Sequence, residues 1–236
     1  MITIRKGADR GHADRGWLQA HHTFSFGSYH DPDHMGFRVL RVLNDDRIGA
    51  GRGFGPHAHR DMEILTYVVD GQLAHRDSMN ERHTLGPNEV QAMSAGTGVV
   101  HSEVNASETE AVHSIQIWID PRAEDLAPSY QQIAFDPAEK RGRLRLLAAP
   151  HGTTADRPTT FINQDARMFV TELGPGEHVE HALASGRHAW AQVVRGRVSV
   201  NGHAVEDGDG VAVSDEAAVT IAADGAGGEV LLFDLP

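Results

Sequence analysis

Four side chains in two short segments are suited to hold a metal ion: His57 and His59 in GPHAHRDMEI, and His101 and Glu103 in GTGVVHSEVN. Within each pair the spacing is i, i+2. Successive side chains alternate across a β-strand, so each pair would share one face. Two such strands side by side would bring three imidazoles and one carboxylate to a common point. Neutral imidazole and carboxylate suit a divalent first-row metal such as iron, nickel, copper, manganese, cobalt or zinc. The chain has no cysteine, so thiolate ligation is absent. These residue types point to a mononuclear metal protein.

Positioning such pairs requires strands, and the sequence is rich in strand signals. FRVLRVLNDD, EILTYVVDGQLAHRDS, NEVQAMSAG, GVVHSEVNAS and AVHSIQIWID read as β-runs separated by Gly, Pro, Asn and Asp turns. Long amphipathic helical patterns are scarce. The series predicts an antiparallel barrel or sandwich rather than alternating β and α units. From Pro121 to about Pro158 the texture changes to prolines, charges and brief apolar pieces, as in a crossover. A second β-rich block then contains MFVTELGPGEHVEH, HAWAQVVRGRVSVNGHAVEDGDGVAVS and AAVTIAADGAGGEVLLFDL. TYVVDGQLAHRDS resembles AQVVRGRVSVNG, each a β-run with a central glycine that fits a hairpin turn. LGPNEVQAMS likewise resembles VEDGDGVAVS. This is the pattern of a tandem duplication. The expected organisation is a metal-binding barrel over residues 1–125, a crossover over 126–160 and a degenerate barrel over 161–236.

At 236 residues the chain can bury its core without disulfides, and having no cysteine it forms none. That composition fits a cytoplasmic location. No run of about 18 apolar residues is present, so no membrane span is expected. MITIRKGADRGHADRG lacks the apolar stretch of a secretory signal. A net charge of -12 argues against direct nucleic-acid binding, which needs a basic footprint. Histidine is the outlier, with 16 residues, most of them in the first half.

Gly51, His57-x-His59, Glu63 and Gly71 follow the first cupin motif, and Gly96-x-Gly98-x-x-His101-x-x-x-Asn105 follows the end of the second. The first block therefore resembles a cupin. The match narrows to the pirin family, with the bacterial pirin-like quercetinases, through HHTFSFGSYHDPDHMGFRVLRVLNDD, PHAHRDMEILTYVVDGQLAHRDSMN, MSAGTGVVHSE, IQIWIDP and PSYQQ. These cover much of residues 20–132 in order, while the C-terminal half matches in texture and position. The resemblance implies an all-β bicupin: two tandem antiparallel β-barrels of the double-stranded β-helix, or jelly-roll, type. It implies one metal in the N-terminal barrel, usually Fe(II), on His57, His59, His101 and Glu103. Glu63 lies four residues after His59, so strand alternation would put it on the same face, and it holds the glutamate position of the general cupin motif. Pirins take their carboxylate from the second motif, which leaves Glu63 as a cavity residue or a support beside the ligands.

The same resemblance implies a dioxygenase acting on quercetin-like flavonols and O2. The flavonol would bind through its 3-hydroxyl, with Glu103 as general base. The central ring would then open with release of carbon monoxide. The family's other role is a non-enzymatic one: a metal-dependent redox sensor or regulatory binding protein with a protein partner.

Other residues have plainer readings. His21, His22, His30 and His34 read as structure or surface, with one of them a candidate for the cavity wall. His75, His83 and His113 read as outward, solvated side chains. Gly51, Gly53 and Gly55 serve positive φ or close packing, since no GK[ST] follows to make a phosphate loop. Phe24, Phe26, Phe37 and Met62 read as core, with a pocket wall as the alternative. His178 and His181 are spaced i, i+3, wrong for one strand face, and His188 and His203 lack partners. The second barrel is thus expected to carry no metal.

Overall fold

The computed structural model describes the backbone of residues 1–236 and every side chain except that of residue 224. β-Branched and aromatic residues between Gly, Asn and Asp turns give strands almost throughout. Among the described residues helix is confined to two 3-10 turns, Gly7–Asp9 and Pro137–Glu139. Among the described residues no helix is long and apolar enough to cross a membrane.

The strands gather into two compact units, and these are not consecutive blocks. One comprises Gly11–Phe135 with His151–Gln164; the other comprises Met1–Arg10, Asp136–Pro150 and Asp165–Pro236. Met1–Arg10, expected with the first block, goes with the second. The reason is strand pairing: Ile2–Arg5 runs antiparallel to Gly210–Val213. The Asp209 carboxylate also accepts from the Gly7 amide at 2.7 Å and from Lys6 Nζ at 2.8 Å. The expected crossover is divided as well. Ser129–Ala134 pairs with Glu89–Ser94 in the first unit, and Arg145–Pro150 pairs with Arg167–Leu173 in the second.

The first unit is a jelly-roll sandwich of two antiparallel sheets. The larger has the order Ser129–Ala134, Glu89–Ser94, Glu63–Asp70, Val112–Ile119, Leu40–Ile48, Leu18–His22 and Gly11–Asp14. The smaller has the order Gly53–His59, Val99–Asn105, Leu73–Asp77 and Arg82–Leu85. Their inner faces pack together through two apolar clusters. Val68, Val112 and Ile48 of the larger sheet pack with Leu73 and Leu85 of the smaller, and Ile64 and Met93 pack with Val99. The glycine at position 71 is not a hairpin turn, contrary to its sequence reading. The strands on either side of it lie in different sheets, so it marks the passage from one layer to the other.

The second unit is built on two long paired strands, His188–Val200 and Ala218–Leu235. Gly196, read as a second hairpin glycine, sits inside the first of these. Its φ is +88°, and a Cβ there would lie 2.2 Å from the Gly227 carbonyl oxygen. The strand therefore bends across its partner at this close approach and continues. The hairpin comes later, at Asn201–Gly202, where both residues have positive φ and the chain turns into His203–Glu206.

Candidate metal centre

The smaller sheet of the first unit carries the histidines. Gly53–His59 and Val99–Asn105 are antiparallel neighbours with His57 opposite His101 and His59 opposite Val99. Burial alternates along Val99–Asn105, so Val99, His101, Glu103 and Asn105 point inward. The i, i+2 reasoning thus holds for both pairs. The three imidazoles converge: ring centroids are 4.5 Å apart for His57 and His101, 4.7 Å for His59 and His101, and 4.8 Å for His57 and His59. One nitrogen from each lies within 4.8 Å of the others. Glu103 stands across a β-bulge from His101 and falls in a second such group, with His101 and His75. The two groups share His101.

The electrostatics suit a cation. Burial first, then neighbouring imidazoles, lowers His59 to about 4 and His101 to about 2, so both rings are neutral at physiological pH. His57 Nδ1 donates to the Gly55 carbonyl at 2.8 Å, which leaves the Nε2 lone pair free. His101 is 1% exposed, and neither of its ring nitrogens has a hydrogen-bond partner. An imidazole buried in this way is costly unless something accepts its lone pair. Three convergent neutral imidazoles with an orphaned buried nitrogen fit a divalent metal.

The larger sheet holds Glu103 from the opposite side. Its carboxylate accepts from Gln116 Nε2 at 2.7 Å and Thr66 Oγ1 at 3.3 Å. Burial raises its pKa against the lowering effect of His75 and these donors. A cavity of about 420 Å3 opens beside His57, His59 and Glu103. Its walls include Trp17, Phe26, Phe54 and Trp118, with His22, Asn44 and Asp46 among its polar members. Of the aromatics read as core or wall, Phe26 is wall and Phe24 is fully buried. His22 is the histidine of the N-terminal segment that reaches the cavity, its Nδ1 2.9 Å from Asn44 Oδ1.

Glu63 is not part of this constellation. The chain turns at Asp61, whose φ is +47°, and Glu63 then opens a strand of the larger sheet. Counting alternation through that turn placed it on the wrong face. On its strand Ile64, Thr66 and Val68 face the smaller sheet, so Glu63 points the other way. Its carboxylate accepts from Ser94 Oγ at 2.6 Å, the Asn163 amide at 3.1 Å and Asn163 Nδ2 at 3.2 Å. It is a tertiary tie to the segment His151–Gln164.

His75 and His113 are not solvated, contrary to expectation. His113 is buried with Nε2 2.7 Å from Asp45 Oδ1. His75 is 2% exposed, and its ring centroid is 5.3 Å from that of His101. Its Nε2 donates to Asp77 Oδ2 at 3.1 Å, leaving Nδ1 without a partner. The signal was present in Leu73-Ala-His75-Arg-Asp77: an apolar Leu73 sets the inward phase, and His75 and Asp77 follow it. His83 is the exposed one of the three.

Similarity to known proteins agrees with this geometry. The Pirin family matches residues 4–119, and the quercetinase C-terminal cupin domain matches residues 146–235. The chain is 46% identical to a quercetin 2,3-dioxygenase of Escherichia coli K12, over 100% of this chain and 99% of that one. It is 41% identical to a pirin-like protein of Caulobacter vibrioides, over 93% and 94%. Among solved structures it resembles the bacterial pirin YhhW of Escherichia coli in complex with nickel(II). That match has a TM-score of 0.93 and 46% identity, covering 100% of this chain and 99% of the other. With two cupin units and a full-length match at this identity, the chain belongs to the pirin family.

Proposed function

We propose that the protein is a metal-dependent dioxygenase that opens the central ring of quercetin-like flavonols. His57, His59, His101 and Glu103 hold one divalent ion, with Fe(II) as the native metal and Ni, Cu, Mn, Zn and Co as the other candidates. The observation that carries this reading is the cavity of about 420 Å3, which joins the histidine cluster to aromatic walls. A flat polyphenol needs an apolar slot with a few polar groups, and this cavity has that composition. The names and full-length identity of the relatives support the same substrate class.

When bound, the ion would supply Lewis acidity toward the flavonol 3-hydroxyl. The protein's own groups do the rest. Trp118 stands edge-on to His59, with ring centroids 4.9 Å apart, and so walls the cavity where it meets the cluster. Glu103 accepts the 3-hydroxyl proton, being the carboxylate that lines the cavity beside the histidine cluster. Gln116 and Thr66 hold the carboxylate in place for that transfer. The net reaction inserts both oxygen atoms of O2 and releases carbon monoxide.

The test is elemental analysis of anaerobically purified protein, followed by oxygen uptake with quercetin on the iron-loaded form. The expected result is about one metal ion per chain, metal-dependent uptake and carbon monoxide release. One ion without turnover would replace the enzymatic reading with that of a metal-dependent regulatory binding protein. No bound metal would overturn the reading altogether.

A further inference from the structure

Two carboxylates line the cavity, and they are treated differently. Glu103 is held by Gln116 and Thr66. Asp46, 5% exposed, takes no hydrogen bond or ion pair from any described residue. The charges that act on it are Asp45 and Glu103, both of its own sign. Burial first, then these two neighbours, pushes its carboxyl up to about 8. At neutral pH it is an acid with one O–H to donate and oxygens to accept. A buried polar group without a partner costs free energy, so the fold gains nothing by keeping it there.

Its position relates it to the metal cluster. Asn44 lies opposite Gln116 in the ladder between Leu40–Ile48 and Val112–Ile119, and Gln116 is the residue that binds Glu103. Asp46 is the next inward residue along the same strand. Strand geometry puts its Cα about 8 Å from that of Gln116, combining one interstrand step with two residues of rise. That span is of the order of a fused-ring polyphenol. Apolar side chains, among them Leu18, Phe54 and Trp118, line the same cavity. Asp46 is therefore a second polar group of this cavity, one inward row beyond the Gln116 that holds Glu103.

We propose that Asp46 is a specificity-determining residue of this site. Its carboxyl group hydrogen-bonds a phenolic hydroxyl remote from the 3-hydroxyl that meets the histidine cluster, and so selects polyphenols hydroxylated at both ends. This rests on the flavonol reading above. A site built to bond a substrate hydroxyl discriminates against an analogue that lacks it, because its own group is then left unpaired.

The test compares quercetin with 3-hydroxyflavone, which keeps the 3-hydroxyl and 4-carbonyl but has no remote hydroxyls. Affinities for the metal-loaded wild type, Asp46→Ala and Asp46→Asn are read from tryptophan fluorescence, and KM from oxygen uptake. The wild type is expected to prefer quercetin roughly tenfold, the worth of one good hydrogen bond. Asp46→Ala loses that preference through weaker quercetin binding. Asp46→Asn, whose amide still donates and accepts, retains most of it. Preference unchanged in Asp46→Ala, or an equal loss for both ligands in both variants, would overturn the anchoring role while the flavonol reading stands. Failure of the wild type to bind either flavonol would overturn that reading and the anchor with it.

Discussion

Replacing Gly53 with alanine removes no ligand, yet it should weaken metal binding. Gly53 lies at the start of the strand that carries His57 and His59, directly against the backbone of the strand that carries His101 and Glu103. A Cβ at this position would meet the Glu103 carbonyl oxygen at 2.2 Å and the Val104 Cα at 2.5 Å. Both are backbone atoms, so no side chain can swing aside. Reaching even a tight 3.0 Å contact from 2.2 Å requires the two strands to part by about 0.8 Å. If the strand pivots on His59, His57 lies two-thirds of the way to the pivot and moves about 0.3 Å; if it shifts as a unit, both histidines move about 0.8 Å. Metal–ligand distances tolerate about 0.2 Å, so either motion spoils the convergence of His57 with His101. Disturbing supports outside the ligand set typically costs ten- to hundredfold in affinity, about 1.4–2.7 kcal/mol. Overpacking adds about 1–3 kcal/mol of lost stability. The assay is Ni(II) titration against a competing chelator, with circular dichroism and thermal melts of the metal-free proteins to separate affinity from folding. Gly55→Ala is the control, because a Cβ there meets nothing within 4 Å. Affinity of folded Gly53→Ala within twofold of wild type, or an equal loss in Gly55→Ala, would refute the reasoning.

Three further perturbations separate the roles assigned above. His101→Ala should bring metal content to background while the β-sheet circular dichroism signal persists, whereas Glu103→Gln should keep metal at reduced affinity and lose about 100-fold or more in turnover; normal metal content in the first, or comparable turnover in the second, would reject the corresponding role. Glu63→Ala leaves Ser94 and Asn163 without their acceptor, so it should cost about 1–3 kcal/mol in urea denaturation with metal affinity unchanged. A tenfold loss of metal in that variant would return Glu63 to the site. In the second unit, burial raises the Asp234 carboxyl, but His181 and Arg187 hold it below its ordinary value overall. Its contribution is therefore complete above the unfolded pKa, about 3.9, and is lost as pH falls through the lower folded value. Asp234→Asn should accordingly flatten the stability slope below about pH 4, and an unchanged slope in denaturation at pH 4 and 3 would contradict it.

Residue spacing carried the inference where structure is local. The i, i+2 pairs His57/His59 and His101/Glu103 needed only strand alternation to share a face, and alternation is a property of any extended chain. The same rule failed for Glu63, because Asp61 breaks the strand between it and His59 and the count has no meaning across a turn. It does reach His75, because the apolar Leu73 two residues earlier on the same strand sets the inward phase that His75 and Asp77 follow. Glycine proved ambiguous for a related reason. Gly71, Gly196 and Gly202 all adopt positive φ, yet they serve a layer crossing, a strand bend and a hairpin respectively. A dihedral preference is local, and what the chain pairs with afterwards is not.

By itself the sequence determined that the protein is all-β, that it is twofold in organisation, and that three imidazoles and a carboxylate sit on strands able to share a face. Periodicity, turn chemistry and ligand type are written in neighbouring residues. The tertiary structure alone decided that Gln116 and Thr66 hold Glu103 from the opposite sheet, that residues 1–10 complete the second unit, and that Asp46 stands unpaired in the cavity wall. Each of these depends on which strands become neighbours across tens of residues. That choice is set by the collective burial of two apolar faces, not by the preference of any one segment.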